Sequence, residues 1–217
     1  HTGIGVNYSN DDQTGEGRYC MASKVNTLAH GAVTDNGNVG TELLLVDTLG
    51  DYVQAKYPGS RVMAVSGKDR GALNLAGHNG QAFWFTDGFG LTTYVKPGET
   101  AQQRLSVVEE FNKRYPAAEN GQRWRGDIAR CQAMAEDIDI VDGTFKSMVP
   151  PSVDKFPVSP LYDEETIAAA LYLLDSQKLG EGDGVDMLGV SLSGTDIIGH
   201  SFGTQGPEMC EQLVRLD

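Results

Sequence analysis

The order of helix and strand patterns constrains the fold of this chain more than any other feature of its sequence. Residues 41–57 carry apolar side chains at a helical period and end at Pro58-Gly59, after which 61–65 has the pattern of a short apolar strand. The same order returns when the amphipathic helix pattern of 164–178 leads through a glycine-rich turn into the strand pattern of 186–192. This alternation predicts an α/β fold in which a layered sheet carries helices on both faces.

Two strand patterns indicate which parts of the sheet are buried. Residues 186–192 are apolar except at their ends, which is typical of a strand covered on both faces of a sheet. The aromatic run 82–85 predicts a core strand of a hairpin and not a platform for stacking nucleic-acid bases, because no basic residues interleave it. Active sites in open α/β sheets gather at the carboxyl ends of strands, so the residues after 61–65 and 186–192 are candidates for chemistry.

The middle of the chain has a different character. Helix signals are mixed around 101–113, and a polar stretch follows without a strong strand pattern. We therefore predict that 96–157 forms an inserted cap or lid segment between two parts of a catalytic α/β domain, 1–95 and 158–217. The glycine-rich stretch 31–40 predicts a surface loop.

Composition excludes two classes of function. The chain has 217 residues, 40% hydrophobic and 22% charged, with no run of about 18 apolar residues that could span a bilayer. Its net charge of -13 and pI near 4.6 argue against a general nucleic-acid binder, since such proteins present a basic face to phosphates. A site for an anionic substrate would therefore need a local cluster of cationic side chains, in contrast to the acidic chain as a whole.

Asp196 and His200 follow the 186–192 strand at a spacing of four residues. On a helix they share one face with Cβ atoms about 5–6 Å apart. Zinc accepts carboxylate oxygen and imidazole nitrogen, and a catalytic zinc usually has three protein ligands with one position open. The pair therefore predicts two metal ligands. The alternative is an acidic residue in a first helical turn followed by a satisfied polar histidine.

Lys68 and Arg70 supply such cationic side chains in the motif SGKDRGA, directly after the 61–65 strand. In an extended segment alternate residues share a side, so both cations would point the same way. A guanidinium fork and an ammonium point charge suit the oxygens of a phosphoryl group. The alternative is a solvated charge cluster that Asp69 neutralises.

The remaining polar candidates carry weaker signals. Asn7, in TGIGVN, either donates its amide to an anion or caps a turn, and the motif alone favours the turn. His30 and His78 have no partner at ligand spacing, and we expect both to be structural. Three cysteines, at positions 20, 131 and 210, form no C-x-x-C pair, and their pairing stays open.

Five motifs together resemble the alkaline phosphatase superfamily, most closely the bacterial secreted alkaline phosphatases related to type I phosphodiesterases and nucleotide pyrophosphatases. The motifs are TGIGVN from position 2, YC at 19–20, VMAVSGKDRGALNLAGH from 62, SPLYDEETIAAALYLL from 159 and VSLSGTDIIGHSFGTQGPEMCEQLVRLD from 190. The resemblance implies an alkaline-phosphatase-like fold and a periplasmic or secreted location.

The resemblance also implies a mechanism and roles for the candidate residues. In this superfamily two zinc ions hold a site where a Thr or Ser nucleophile forms a covalent phospho-enzyme, which water then hydrolyses. By that resemblance Asp196 and His200 match two ligands of one zinc, Lys68 and Arg70 match the phosphate-binding pair, and Asn7 matches an amide donor to phosphate. The Lys-x-Arg pair favours a phosphate monoester as the small-molecule substrate.

The sequence departs from the superfamily pattern in two respects. It contains no T-G-H-A-type nucleophile turn and no adjacent Asp-His pair. We therefore expect an interior fragment of a longer enzyme, inactive alone, with the nucleophile and the remaining zinc ligands outside this chain. The alternatives are a phosphodiesterase or nucleotide pyrophosphatase, and a non-catalytic fragment that binds an anion or a partner. The oligomeric state is not predicted.

Overall fold

Residue contacts divide the chain into two units. The structure, a computed structural model, describes residues 6–10, 14–29, 36–86, 90–116, 124–149 and 156–217. The first unit comprises His1–Tyr115 and Thr166–Ser191, and the second comprises Pro116–Glu165 and Leu192–Asp217. The role of 96–157 as a cap stays a prediction.

Strands and helices are numbered in chain order over the described residues. The strands are β1 Tyr8–Asn10, β2 Gly17–Tyr19, β3 Thr27–Leu28, β4 Val62–Ser66, β5 Gln81–Thr86, β6 Gly90–Val95, β7 Asp137–Ile140, β8 Gly143–Lys146 and β9 Met187–Ser191. The helices are α1 Leu49–Lys56, α2 Asp69–Ala76, α3 Gln102–Arg114, α4 Ala129–Gln132, α5 Leu161–Ser176, α6 Gly194–Phe202 and α7 Pro207–Leu216. No helix among the described residues is both long enough and apolar enough to cross a membrane.

The first unit is built on a five-stranded sheet with the order β3-β6-β5-β4-β9. β4 runs parallel to both β5 and β9, whereas β5 and β6 form the antiparallel hairpin predicted from the aromatic run. Ser66 pairs in register with Ser191, so β4 and β9 end side by side at one edge of the sheet. The α/β prediction is confirmed.

Helices cover both faces of this sheet, as predicted. On one face α2 buries Ala72, Leu73 and Ala76 completely within the same core cluster as Trp84. On the other face the ring of Phe111 in α3 lies 6.1 Å from Phe85 and 5.7 Å from Tyr172 of α5, measured between ring centroids. Full burial of a leucine or phenylalanine side chain such as Leu73 or Phe111 stabilises the fold by roughly 1.5–3 kcal/mol.

Two predictions about the sheet and its first helix need correction. β9 pairs only with β4 among the described strands and lies at the edge of the sheet, so Val190 is 42% exposed and not covered on both faces. The helix predicted over 41–57 begins only at Leu49. Thr48 is its N-cap residue, and Asp51 completes a capping box with it, so the apolar period before Thr48 does not continue the helix.

The second unit is held together by side chains distant in sequence. A disulfide joins Cys131 of α4 to Cys210 of α7, while Cys20 in the first unit is free and buried. The carboxylate of Glu211, fully buried, accepts hydrogen bonds from the Trp124 indole and the Ile128 backbone N–H. The unit also contains the β7–β8 hairpin, which was not predicted although residues 137–140 alternate acidic and apolar residues over one short strand.

Candidate active site

Asp196 and His200 lie one turn apart on α6, so the helical backbone on which their spacing argument depended is present. The Oδ1 atom of Asp196 is 3.4 Å from Nε2 of His200, and the two side chains are 56% and 82% exposed. Bonds of about 2.1 Å at tetrahedral angles place two zinc ligands about 3.4 Å apart. The separation therefore fits two ligands of one ion, and it equally fits an ion pair when the imidazole is protonated. Their metal-binding role stays a prediction.

The start of α6 is held by a buried carboxylate. Asp163, 3% exposed, accepts 2.8 Å hydrogen bonds from the backbone N–H groups of Ser193 and Gly194, and its second oxygen accepts one from the Gln212 amide at 2.8 Å. These N–H groups belong to the helix end that has no intrahelical acceptor. Asp163 thereby fixes the turn that precedes Asp196.

Lys68 and Arg70 lie at the amino end of α2, next to the carboxyl end of β4. Lys68 is the N-cap residue of α2 with extended backbone angles, and Asp69 begins the helix. The condition under which the two cations would share a side, an extended backbone through Arg70, is therefore not met, because α2 begins at Asp69. Both cations are half-buried, and the Lys68 N–H donates to Ser66 Oγ at 3.1 Å.

Close packing places this helix start against the ends of two strands. A Cβ atom added to Gly71 would lie 2.5 Å from Ser66 Oγ and 3.1 Å from Ser191 Oγ. Only glycine allows the first turn of α2 to approach β4 and β9 this closely. The cationic motif thus lies at the carboxyl edge of the parallel strands, where the sequence analysis expected it.

Asp69 does not act as a solvated counter-charge, the alternative considered for this motif. It is 6% exposed, and its Oδ1 atom accepts hydrogen bonds from the Tyr19 hydroxyl at 2.5 Å and from the Arg70 backbone N–H at 2.6 Å. Asn7 is exposed, and its backbone carbonyl accepts a 2.8 Å hydrogen bond from the Cys20 N–H. His30 lies outside the described residues.

Asp47, Asp51 and His78 form a second cluster, in which the donor atoms lie within 4.8 Å of one another, close enough to hold a metal ion. The Asp51 carboxylate already accepts hydrogen bonds from the Thr48 N–H at 2.9 Å and the His78 N–H at 2.9 Å. The His78 ring contacts Asp51 through Nδ1 at 3.0 Å and the Leu44 carbonyl through Nε2 at 3.2 Å. A doubly protonated imidazole satisfies both acceptors without an ion.

The pKa directions of His78 and Asp51 agree with an ion pair between the two side chains. Burial by itself lowers the pKa of His78, but the hydrogen bonds to Asp51 and to the Leu44 carbonyl outweigh it, and the pKa is raised. Burial by itself raises the pKa of Asp51, but the hydrogen bonds from Thr48 and His78 lower it overall. The directions are those of an ion pair between His78 and Asp51, and the spacing of the three side chains also allows a metal ion.

Comparisons with known proteins decide the family. No protein-family profile matches the chain. It is 34% identical over 179 residues to alkaline phosphatase PhoD of Zymomonas mobilis subsp. mobilis, an alignment that covers 80% of this chain and 31% of PhoD. It is 29% identical over 194 residues to alkaline phosphatase PhoK of Sphingomonas sp, covering 86% of this chain and 34% of PhoK.

A solved structure extends the likeness to the fold. The crystal structure of wild-type alkaline phosphatase PafA matches with a TM-score of 0.78 at 25% sequence identity, over 97% of this chain and 44% of PafA. The chain belongs to the alkaline phosphatase superfamily. It spans about a third of the length of PhoD and PhoK and less than half of PafA.

Tyr19 and Asp163 lie in motifs that carry the superfamily resemblance, but the sequence analysis gave neither residue a role. Tyr19 is bonded to a residue fifty positions away, and Asp163 caps a helix that begins thirty-one positions later. No local pattern identifies either contact, because each depends on how distant segments pack. The sequence signals that could have pointed to them are an Asp at the start of an apolar helix pattern and a Tyr-Cys pair after a glycine-rich segment.

Proposed function

We propose that the chain contributes the phosphate-binding cations and two metal ligands of a zinc-dependent alkaline phosphatase that hydrolyses phosphate monoesters through a covalent phospho-enzyme. The observation that carries the proposal is the placement of Lys68 and Arg70 at the amino end of α2, beside the carboxyl ends of β4 and β9. Anions are favoured at helix amino termini, and the two cations add to that preference.

The charge of the substrate explains the preference for monoesters. A phosphate monoester dianion spreads charge over three terminal oxygens, whereas a diester has fewer terminal oxygens and less charge. Cationic donors at these oxygens stabilise the charge distribution of phosphoryl transfer. Lys68 and Arg70 therefore favour the monoester reaction, and the Asn7 amide would supply a neutral donor to a further oxygen.

Asp196 and His200 are the residues we assign to a metal ion in this proposal. Their 3.4 Å donor separation supports that assignment. When bound, zinc would stabilise the leaving or attacking oxygen as a Lewis acid. The sequence has no second Asp-His pair and no T-G-H-A turn, so the proposal assigns the nucleophile and the other ligands to no residue of this chain.

Location and partners follow from the same proposal. The Cys131–Cys210 disulfide supports an oxidising compartment, consistent with a periplasmic or secreted protein. The small-molecule partner would be a phosphate monoester, and the net charge of -13 supports the expectation that nucleic acid is not a general partner.

The first experiment measures phosphate binding to the 217-residue chain. Inorganic phosphate is titrated into wild-type protein, Lys68→Ala and Arg70→Ala by calorimetry. We expect each substitution to weaken binding roughly tenfold or more, as expected when a charge-assisted hydrogen bond is lost. Lys56→Ala, in the last turn of α1, is the matched control and should bind like the wild type. Absence of phosphate binding by the wild-type chain would contradict the assignment.

The second experiment compares substrates. We expect no turnover of p-nitrophenyl phosphate by the isolated chain, because Asp196 and His200 offer two ligands and the nucleophile motif is missing. In a longer polypeptide that contains this chain, Lys68→Ala and Arg70→Ala should depress p-nitrophenyl phosphate hydrolysis far more than bis(p-nitrophenyl) phosphate hydrolysis. Equal losses would favour a phosphodiesterase, and binding without turnover in that polypeptide would favour a non-catalytic role.

A further inference from the structure

Tyr19 carries a buried hydroxyl that joins two segments of the proposed phosphate site. It ends β2, is 5% exposed, and donates a 2.5 Å hydrogen bond to Oδ1 of Asp69. Asp69 lies between the two proposed phosphate-binding cations and is itself 6% exposed. A buried carboxylate without hydrogen-bond donors is costly, so the phenol stabilises Asp69 in its position at the start of α2.

The Asp69 oxygen that accepts from Tyr19 also accepts a 2.6 Å hydrogen bond from the backbone N–H of Arg70. Burial raises the pKa of Tyr19, and the neighbouring Asp69 charge raises it further, so the phenol stays protonated and can donate to Asp69. Asp69 therefore ties the phenol to the first turn of α2, which carries Arg70.

The segment that carries Tyr19 also carries the third proposed phosphate contact. The N–H of Cys20, the next residue, donates to the backbone carbonyl of Asn7 at 2.8 Å. β1, which begins at Tyr8, pairs with β2 in antiparallel register, and the ring centroids of Tyr8 and Tyr19 lie 5.3 Å apart. Tyr19 therefore connects the backbone beside Asn7 with Asp69 in the first turn of α2.

We propose that Tyr19 is a positioning residue that, through Asp69, holds the first turn of α2 and Arg70 with it in the position that binds phosphate, and links this turn to the Asn7 segment. The inference rests on the proposed function, in which Arg70 contacts the phosphoryl group. Tyr19 acts through Asp69 and contacts no substrate itself.

The test replaces the hydroxyl alone, with Tyr19→Phe in the 217-residue chain. Inorganic phosphate affinity is measured by calorimetry, and the mobility of the first turn of α2 by the heteronuclear NOE of the Arg70 backbone N–H, which donates to Asp69. We expect roughly tenfold weaker phosphate binding and a lower NOE at Arg70. Tyr94→Phe removes another buried hydroxyl from the same core and should change neither quantity.

A double-mutant cycle separates positioning from a general structural role. In an Arg70→Ala background, Tyr19→Phe should cause no further loss of phosphate affinity. A further loss of the same size there would overturn the inference, as would an unchanged NOE in Tyr19→Phe. If Tyr19→Phe does not fold, Asp69→Asn, which keeps the shape of the partner, is expected to lower the Arg70 NOE in the same way.

The two proposals fail in different ways. If the wild-type chain binds no phosphate but Tyr19→Phe still mobilises Arg70, the proposed function fails and the positioning contact stands. If the wild type binds phosphate and Tyr19→Phe binds it equally well with an unchanged NOE, the inference fails and the proposed function stands.

Discussion

The Asp163 carboxylate accepts a 2.8 Å hydrogen bond from the backbone N–H of Gly194, the first residue of α6. A Cβ atom on Gly194 would lie 2.7 Å from the other Asp163 oxygen, so the contact leaves no room for a side chain. The helix that carries Asp196 and His200 is therefore fixed at its start by a charged acceptor that is itself almost completely buried.

Replacing this acceptor should loosen α6. Asp163→Asn removes the charge and one acceptor while keeping the size of the side chain, and hydrogen bonds to charged groups are worth about 1.5–3 kcal/mol each. We expect a lower urea midpoint and weaker binding of zinc to the chain, measured by calorimetry. Asp175→Asn, an exposed carboxylate near the end of α5, is the control and should leave both unchanged. Wild-type zinc affinity in Asp163→Asn would contradict the positioning of this turn.

The Cys131–Cys210 disulfide should stabilise the chain substantially. It closes a loop across a sequence separation of 79 residues, and cross-links over loops of this length typically contribute about 2–4 kcal/mol. We expect dithiothreitol to lower the thermal midpoint of the wild type, and Cys131→Ser to show the same lower midpoint without it. In Cys20→Ser the effect of dithiothreitol should persist, since Cys20 is not bonded. If dithiothreitol did not lower the thermal midpoint of Cys20→Ser, Cys20 would be a partner in the disulfide.

The ion pair between His78 and Asp51 should make stability depend on pH in a defined direction. The folded-state pKa of His78 is raised, so its contribution is fully present below the unfolded value of about 6.5 and is lost as pH rises through the folded value. The pKa of Asp51 is lowered, so its contribution is present above about 3.9 and is lost at lower pH. Both contributions coexist between these limits.

The measurement is the urea midpoint at pH 6 and at pH 9. We expect the wild type to lose stability between them, and His78→Gln to lose clearly less because its side chain does not titrate. Asp51→Asn should reduce the difference too, since the imidazole loses the carboxylate that raises its pKa. An identical pH dependence in wild type and His78→Gln would show that other groups cause it.

Arg61 and Asp186 join the amino ends of β4 and β9. Asp186 accepts hydrogen bonds from the Arg61 backbone N–H at 2.9 Å and from its guanidinium at 2.5 Å, and these lower the pKa of Asp186 to about 2. Its contribution to stability is therefore present above the unfolded pKa of about 3.9 and is lost as pH falls toward about 2.

The stability difference between the wild type and Asp186→Asn should depend on pH over the same range. Asp186→Asn is expected to lower the urea midpoint at pH 6, and the difference from wild type should shrink as pH falls below 4. Asp183→Asn, in the same exposed turn, serves as the control and should behave like the wild type. A difference that stays constant down to pH 2 would mean that the charge of Asp186 is not the cause.

Much of the fold could be predicted because its signals are local. The strand β4, the hairpin that contains β5, and the helix α5 each follow from side-chain periodicity or from residues within one turn. Propensity and period act between near neighbours in the chain, so a sequence of this length displays them directly. Local patterns also led to a wrong helix start in the prediction for 41–57. The apolar period there continues across the capping box of Thr48 and Asp51, where the helix in fact begins.

The candidate site also has features that the sequence predicts and features that only the structure shows. Its cations, its Asp-His pair and the superfamily were apparent from the amino-acid sequence itself, because motifs preserve residue types at fixed spacing. Only the tertiary structure decided that Tyr19 reaches Asp69, that Asp163 caps α6 and that Cys131 pairs with Cys210. These contacts join positions thirty to eighty residues apart, and they form only when whole elements pack, since no local interaction selects one distant partner over another.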